Sequence, residues 1–175
     1  MRKFLFVLCL IALTTGNAVA QIGSSENLEA KNGFKYFILG DSISKYSDKI
    51  ELVKGSNDTY SATDTTLLKI GDEIKLSMIL IKTYNGRILS ISPMAKSEYS
   101  YKMLNVFLAA YGRWSHRPNQ YMDKYFWFSP NKKVKLYFYG EKLDKWIFAT
   151  FTDMELDSQK SNSEHKKTLN AVDDL

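Results

Sequence analysis

An amphipathic helix between two strand-rich blocks is the sequence feature that most constrains the fold. Its apolar residues recur at i, i+3, i+4 and i+7, the spacing of one helical stripe: Leu104, Phe107, Leu108 and Tyr111. Tyr101 extends this stripe one turn back. We expect Ser97 to cap the N-terminus of the helix and Gly112 to end it with a positive φ. The pattern therefore predicts a helix over residues 97–111 that packs against a sheet.

A β-hairpin is predicted before this helix. Residues 74–81 alternate in the manner of a strand, and Asn85-Gly86 follows them. This dipeptide is the strongest short hairpin signal because both residues tolerate positive φ. Residues 87–91 return as the second strand, and we expect Pro93 to end it.

Three further strands are predicted after the helix, at residues 124–128, 133–139 and 145–152. The middle strand alternates strictly, so its two faces separate into Val134, Leu136 and Phe138 on one side and Lys133, Lys135, Tyr137 and Tyr139 on the other. Consecutive hairpins imply an antiparallel sheet with the helix on one face. The expected core includes Leu104, Phe107, Leu108, Val134, Leu136 and Phe138.

The N-terminal block adds a strand and a short helix. Residues 34–39 are rich in aromatic and branched side chains, which favour a strand. Ile43, Tyr46 and Ile50 then follow at rough helical spacing, whereas the threonine-rich residues 59–68 fit either a strand or a loop. The predicted fold class is α+β: an antiparallel sheet of hairpins, one main amphipathic helix on one face and a short N-terminal helix.

The first 20 residues have the pattern of a secretory signal peptide. Arg2 and Lys3 precede an apolar run that is too short to span a bilayer, and Ala18-Val19-Ala20 matches a cleavage site. We therefore expect cleavage after Ala20 and a secreted or periplasmic protein. Residues 21–32 are predicted to be a flexible leader, residues 33–153 a single domain and residues 154–175 a polar flexible tail.

Cysteine use suggests where such a protein works. The only cysteine, Cys9, lies inside the predicted signal peptide, so the mature chain has no disulfide. Secreted animal domains of this size often carry disulfides, and their absence favours a bacterial envelope or exterior. No later segment is long and apolar enough to predict a transmembrane helix. The net charge of +5 favours anionic partners weakly.

Residue types that carry chemistry are scattered. His116 and His165 are far apart in the chain, and no G-x-S-x-G elbow is present. Asp153, Glu155 and Asp157 alternate, but Leu156 between them and the absence of glycine do not fit a calcium loop. We accordingly expect no catalytic residues, no cofactor and no metal.

The loop after the central helix is the candidate binding site. It concentrates the residue types that dominate interface hot spots: Arg113, Trp114, His116, Arg117 and Tyr121. Pro118 limits the freedom of the loop, which lowers the cost of ordering it on binding. The alternative is structural, since Trp114 and Tyr121 can fold back and plug the edge of the sheet.

A second candidate surface mixes lysines with aromatic rings: Lys132, Lys133, Lys135, Tyr137 and Tyr139. Such a face can bind polyanions or stack on bases. Its alternative is a solvated sheet face in which cross-strand pairs contribute stability.

The order of elements resembles small exported bacterial α+β domains, such as β-lactamase-inhibitor-like proteins and small lipoproteins of outer-membrane assembly. The resemblance rests on the strand-to-helix entry Ile38-Leu39-Gly40-Asp41-Ser42-Ile43, on Tyr111-Gly112 and on the aromatic strands that follow. The chain departs from the lipoproteins in lacking their anchoring cysteine. The resemblance implies a binding or scaffolding role and assigns no functional residue.

Three functions follow as hypotheses. The first is an exported, non-enzymatic domain that binds a protein or envelope partner. The second is a hydrolase of an extracellular polymer, which requires converging carboxylates in a pocket. The third is a polyanion-binding protein, whose binding weakens with salt.

Overall fold

A computed structural model describes residues 23–172. The predicted signal peptide therefore lies outside the described residues, as do the last three residues of the predicted tail. In the described part, no helix has both the length and the apolar character needed to cross a membrane.

The described chain forms an α+β fold, as predicted. Three α-helices are present, α1 (Ser25–Lys31), α2 (Ser100–Tyr111) and α3 (Met154–Val172). The strands are β1 (Gly33–Phe34), β2 (Phe37–Ile38), β3 (Ile50–Leu52), β4 (Thr59–Ala62), β5 (Lys69–Ile70), β6 (Ile74–Tyr84), β7 (Arg87–Lys96), β8 (Lys124–Phe128), β9 (Val134–Tyr139) and β10 (Trp146–Asp153). The main sheet has the order β3-β4-β6-β7-β10-β9-β8, with β5 beside one end of β6, and every pairing is antiparallel.

The central hairpin β6–β7 forms at the predicted turn, where Asn85 and Gly86 have φ values of 49° and 73°. The prediction that Pro93 ends the strand was wrong, because β7 continues through it to Lys96. The pairing of β7 with β10 is interrupted between Met94↔Phe148 and Ile91↔Phe151, where the proline has no N–H to donate. A side-chain hydrogen bond of 2.9 Å between Ser92 Oγ and Thr150 Oγ1 joins the strands there.

Helix α2 lies on one face of the sheet but begins later than predicted. Residues Ser97–Tyr99 form a 3-10 turn, so Ser97 is not the cap of the α-helix. The helix buries Ser100, Met103, Phe107 and Tyr111. Leu104 and Leu108 are half-buried and Tyr101 is 69% exposed, so the buried stripe is rotated from the predicted one. Gly112 ends the helix with a φ of 74°, where a Cβ would lie 2.4 Å from the carbonyl oxygen of Gly23.

The predicted core is otherwise confirmed. Phe107, Val134, Leu136 and Phe138 are each at most 3% exposed. The Phe107 ring lies within 5.6 to 6.2 Å, between centroids, of the rings of Tyr111, Trp127, Phe138 and Phe151. This aromatic cluster joins α2 to the last three strands.

The predicted leader contains a short helix that packs on α2. Residues Ser25–Lys31 form α1, whose Leu28 is 0% exposed. Asn27 Nδ2 donates a 2.9 Å hydrogen bond to the carbonyl oxygen of Ala110, which fixes α1 against α2. Leu28 and Asn27 thus anchor a segment that has little apolar patterning.

Most of the predicted polar tail forms helix α3, over Met154–Val172. Asp153 Oδ1 accepts hydrogen bonds from the backbone N–H groups of Glu155 and Leu156, which caps the helix. Leu156 is 3% exposed and anchors the first turn.

The N-terminal block is more broken than predicted. The single strand over residues 34–39 is a small hairpin, β1–β2, whose turn contains Lys35 with a φ of 58°. The short helix is a 3-10 turn over Ile43–Tyr46. The undecided residues 59–68 contain strand β4 and a 3-10 turn over Thr65–Leu67.

Candidate binding surface

The candidate surface is the face of the sheet opposite α2, which we call the outer face. Successive residues of a strand point to opposite faces, and Leu136, Phe138 and Phe151 are buried on the α2 side. The residues that alternate with these buried ones in β8, β9 and β10 therefore point to the outer face. Six of them are aromatic and only half-buried. One, Phe128, pairs with Lys135. We call the other five the aromatic face: Phe126, Tyr137, Tyr139, Trp146 and Phe148.

Strand register brings four of these rings into one continuous cluster. Phe126 pairs with Tyr137, and Tyr139 pairs with Phe148. The ring centroids are 4.7 Å apart for Phe126–Tyr137, 5.8 Å for Tyr137–Phe148 and 5.1 Å for Phe148–Tyr139. The four rings thus run from the edge strand β8 across β9 to β10.

Lysines border the cluster. Lys124 Nζ lies 5.4 Å from the Tyr139 ring centroid, and Lys145 Nζ lies 5.4 Å from the Trp146 ring. Lys96 pairs in register with Trp146. None of these three lysines forms a salt bridge among residues 23–172. The border of the aromatic face therefore carries three lysines without direct ion pairs in this part of the chain, with the Asp144 carboxylate at Tyr139.

Two tyrosine hydroxyls of the aromatic face remain neutral at physiological pH. Tyr139 Oη donates a hydrogen bond to Asp144, and this contact raises the pKa of Tyr139 to about 12. Burial raises the pKa of Tyr137. Both rings thus present neutral hydroxyl groups beside the lysines.

The other half of the outer face is ionic and lies under α3. Lys82, Ser90, Thr152 and Lys135 follow one another in register across four strands. Together with Asp157, Lys160, Ser161 and Glu164 of α3 they line a cavity of about 530 Å³. Lys135 Nζ lies 3.6 Å from Asp157, and Lys160 Nζ lies 3.9 Å from both Asp58 and Glu164. Helix α3 thus covers the ionic half, and no aromatic-face residue lines the cavity beneath it.

The predicted binding loop does not form one surface. The Trp114 ring packs 4.9 Å from the ring of Tyr125, which is 5% exposed and points into the core. The His116 ring lies 5.7 Å from Phe126 and so belongs with the aromatic face. Since Tyr125 and Phe126 are neighbours in β8, they point to opposite faces, and Trp114 and His116 are separated by the sheet.

The remaining loop residues are divided as well. Arg117 is half-buried, donates to the carbonyl oxygens of Gln120 and Met122, and lies over the Tyr125 ring at 4.9 Å. Arg113 lies over the Trp114 ring at 5.8 Å, on the same side as Trp114. Tyr121 is 87% exposed. The guanidinium of Arg117 is therefore used mainly in hydrogen bonds to the backbone of the loop itself.

The loop also protects the edge of the sheet. His116 N and Phe126 N each donate to the other residue's carbonyl oxygen, at 3.2 and 2.9 Å. Ser115 Oγ accepts from the backbone N–H of Phe128 at 3.2 Å. These bonds occupy backbone groups of β8 that an added strand would need.

The lysine cluster of the polyanion hypothesis is split in a similar way. Lys135 is paired with Asp157 beneath α3, whereas Lys132 and Lys133 lie exposed in the β8–β9 turn. Tyr137 and Tyr139 lie on the aromatic face, beside Lys124 rather than Lys135.

Side chains that could ligate a metal are scattered in the described residues. No group of three or more His, Cys, Asp or Glu side chains with the arrangement of a metal site occurs in residues 23–172. Asp41 instead accepts hydrogen bonds from Lys45 and Tyr46, which lower its pKa.

Comparisons with protein-family models, with curated proteins and with solved structures give no match to this chain. The resemblance to exported bacterial α+β domains therefore stays a prediction.

Sequence reasoning found parts of the aromatic face without assembling it. Tyr137 and Tyr139 were expected opposite the core, and His116 was a candidate binding residue. Phe126, Trp146 and Phe148 were missed, because their clustering depends on the register of three strands. The signal that identifies them is the alternation of β8 and β10 with buried residues at Trp127 and Ile147.

Proposed function

We propose that this chain is an exported interaction domain that binds an acidic segment of a partner protein on its aromatic face. The observation that carries the proposal is the row of half-exposed rings from Phe126 to Tyr139, bordered by lysines without salt-bridge partners. Aromatic side chains on protein surfaces are enriched at interfaces, where they bury large areas at low cost in conformational entropy.

Charge complementarity favours an acidic partner. Lys96, Lys124 and Lys145 surround the rings, and Asp144 is engaged by Tyr139. Opposite charge speeds association and fixes the orientation of the bound chain, while the rings supply the buried apolar area. The proposed partner segment therefore combines carboxylates with apolar side chains.

The test is partner capture with the mature chain as bait and a matched set of variants. Phe126→Thr with Phe148→Thr removes two rings of the aromatic face and keeps residue types that favour strands. We expect capture of the partner to be lost while the melting temperature falls by only a few degrees. Retained capture would contradict the proposal.

Two exposed tyrosines elsewhere serve as controls. Tyr101→Ala removes a ring that is 69% exposed on α2, and Tyr121→Ala removes one that is 87% exposed in the loop. Capture should persist in both variants. Loss with Tyr121→Ala alone would assign binding to the loop, as the first hypothesis from sequence had it.

The polyanion alternative predicts a different result. Retention on heparin that falls with salt, and that depends on Lys132 and Lys133 but not on Phe126, would favour polyanion binding. Our proposal instead expects partner capture to depend on Phe126 and to persist in a Lys132→Gln, Lys133→Gln variant.

Export is tested separately by mass. We expect the intact mass of the secreted protein to lack the first 20 residues, because Ala18-Val19-Ala20 fits a cleavage site. Recovery of the full-length chain inside the cell would contradict this part of the proposal.

A further inference from the structure

A second candidate site lies on the α2 side of the molecule, away from the aromatic face. A cavity of about 450 Å³ opens between α2, the β1–β2 hairpin and β5. Its apolar lining comes from three elements: Phe34, Ile70, Val106, Phe107, Ala110 and Tyr111. The volume lies in the range of small-ligand sites.

Two lysines of the cavity lining lie over its aromatic residues. Lys31 Nζ is 5.6 Å from the Tyr111 ring centroid, and Lys35 Nζ is 5.8 Å from the Phe34 ring. Neither lysine forms a salt bridge among residues 23–172. An apolar lining with two ammonium groups is complementary to a ligand with one anionic end and an apolar body.

Tyr111 adds an unused hydrogen-bonding group. Its side chain is 5% exposed, yet its hydroxyl has no hydrogen-bond partner in the described residues. Among residues 23–172, the Tyr36 hydroxyl is the one fully buried side-chain polar atom without a hydrogen-bond partner. The Tyr111 hydroxyl is therefore not fully buried, and it keeps access to the cavity that Tyr111 lines. Burial raises the pKa of Tyr111 to about 12, so the group is a neutral donor at physiological pH. A hydroxyl that is open to the cavity can donate to an acceptor on a ligand in place of water, with a modest net gain.

We propose that this cavity binds a small monocarboxylate with an apolar body, such as a medium-chain fatty acid. The carboxylate lies between Lys31 and Lys35 and accepts a hydrogen bond from Tyr111, and the apolar body packs along Val106, Phe107 and Ile70. This site is independent of the proposed function, because none of its residues belongs to the aromatic face.

The experiment is calorimetric titration of the mature chain with octanoate, 1-octanol and acetate. Octanoate carries both features of the ligand, and the other two carry one each. We expect octanoate to bind at least about tenfold more tightly than either control, since ion pairing and apolar burial both contribute. Equal affinity for octanoate and octanol, or no binding of octanoate, would overturn the proposal.

Variants locate the site. Lys31→Gln with Lys35→Gln changes two exposed side chains, so the fold is retained, and should weaken octanoate binding about tenfold. Lys167→Gln removes an exposed lysine on α3 and should leave the affinity unchanged. Tyr111→Phe should weaken binding about two- to tenfold.

A substitution that fills the cavity is the most specific test of where octanoate binds. Val106 is 36% exposed and lines the cavity, so Val106→Trp places a ring in the opening without disturbing the buried core. We expect this variant to melt normally and to lose octanoate binding. Unchanged binding by Val106→Trp or by the double lysine variant would place the ligand elsewhere and refute the proposal.

Discussion

The two faces of the last three strands share one backbone and differ in what covers them. On the inner face, Phe138 of β9 and Phe151 of β10 contact Phe107 of α2 and are fully buried. On the outer face, Tyr137 and Phe148 of the same strands touch each other and remain half-exposed. The inner rings account for folding because a helix excludes water from them, whereas the outer rings keep apolar surface available for a partner.

The inner face should give the largest loss of stability. Phe107→Ala removes the ring at the centre of four aromatic contacts. We expect the free energy of unfolding to fall by about 3–5 kcal/mol, as is typical of large-to-small changes in a tight core. Urea denaturation measures this difference. A loss below about 1 kcal/mol would mean that α2 packs peripherally, and the contrast between the faces would fail.

A buried hydrogen bond on the inner face should have the next largest effect. Ser100 Oγ donates to the carbonyl oxygen of Gly140 at 2.5 Å, which ties the start of α2 to the end of β9. Ser100→Ala leaves that carbonyl without its donor, at a cost of about 1–3 kcal/mol. The midpoint of urea unfolding should fall accordingly. An unchanged midpoint would show that the two elements are held together by apolar packing alone.

The aromatic half of the outer face should contribute less to the free energy of unfolding. Phe148→Thr removes cross-strand ring contacts that contribute about 0.2–1 kcal/mol in antiparallel sheets. The informative quantity is the difference between the losses of unfolding free energy in Phe148→Thr and in Phe107→Ala, measured in the same urea series. If Phe148→Thr costs as much as Phe107→Ala, the outer rings form a second core and the binding proposal loses its structural basis.

The ionic half of the outer face should contribute least to global stability. Lys160 bridges α3 to Asp58, and ion pairs that stay in contact with solvent contribute about 0–1 kcal/mol. Lys160→Gln should therefore leave the urea midpoint nearly unchanged and speed amide hydrogen exchange in α3. Lys167→Gln, on the exposed end of the same helix, is the matched control. Equal exchange rates in the two variants would contradict the ionic docking of α3.

Low pH should weaken the docking of α3 on the ionic half of the outer face. Burial works against ionisation of Asp58, but hydrogen bonds from Thr59 and Ser56 and the charges of Lys82 and Lys160 bring its pKa below the ordinary value of 3.8. A lowered folded-state pKa stabilises the fold above the ordinary value, and this stabilisation is lost as the pH falls through the lowered one. The protection of α3 amides, corrected for the intrinsic pH dependence of exchange, should thus fall below about pH 4, ahead of that of the core strands.

Much of the inner face could be predicted from the sequence because its signals are local. The period-2 pattern of Val134, Leu136 and Phe138, the Asn85-Gly86 turn and the periodicity of α2 each depend on a short window. A sequence specifies one fold when its local propensities, its apolar pattern and its turn residues all favour that fold. The rotation of the α2 stripe toward Met103 is a tertiary effect, because the sheet decides which part of a broad apolar surface it covers.

The parts that sequence reasoning missed depend on a few contacts or on register. Helices α1 and α3 have little apolar periodicity, and each is anchored by one buried leucine, Leu28 and Leu156. The continuation of β7 through Pro93 accompanies its pairing with β6 and a hydrogen bond between Ser92 and Thr150, which are far apart in sequence. The aromatic face depends on pairing across β8, β9 and β10 in the same way.

The most direct test of the account is hydroxyl-radical footprinting of the mature chain with and without its captured partner. We expect partner binding to protect Phe126, Tyr137 and Phe148, while Tyr101 and Tyr121 keep their reactivity. Protection confined to Tyr121, or no change at the three rings of the outer face, would contradict the claim that this face is the binding surface.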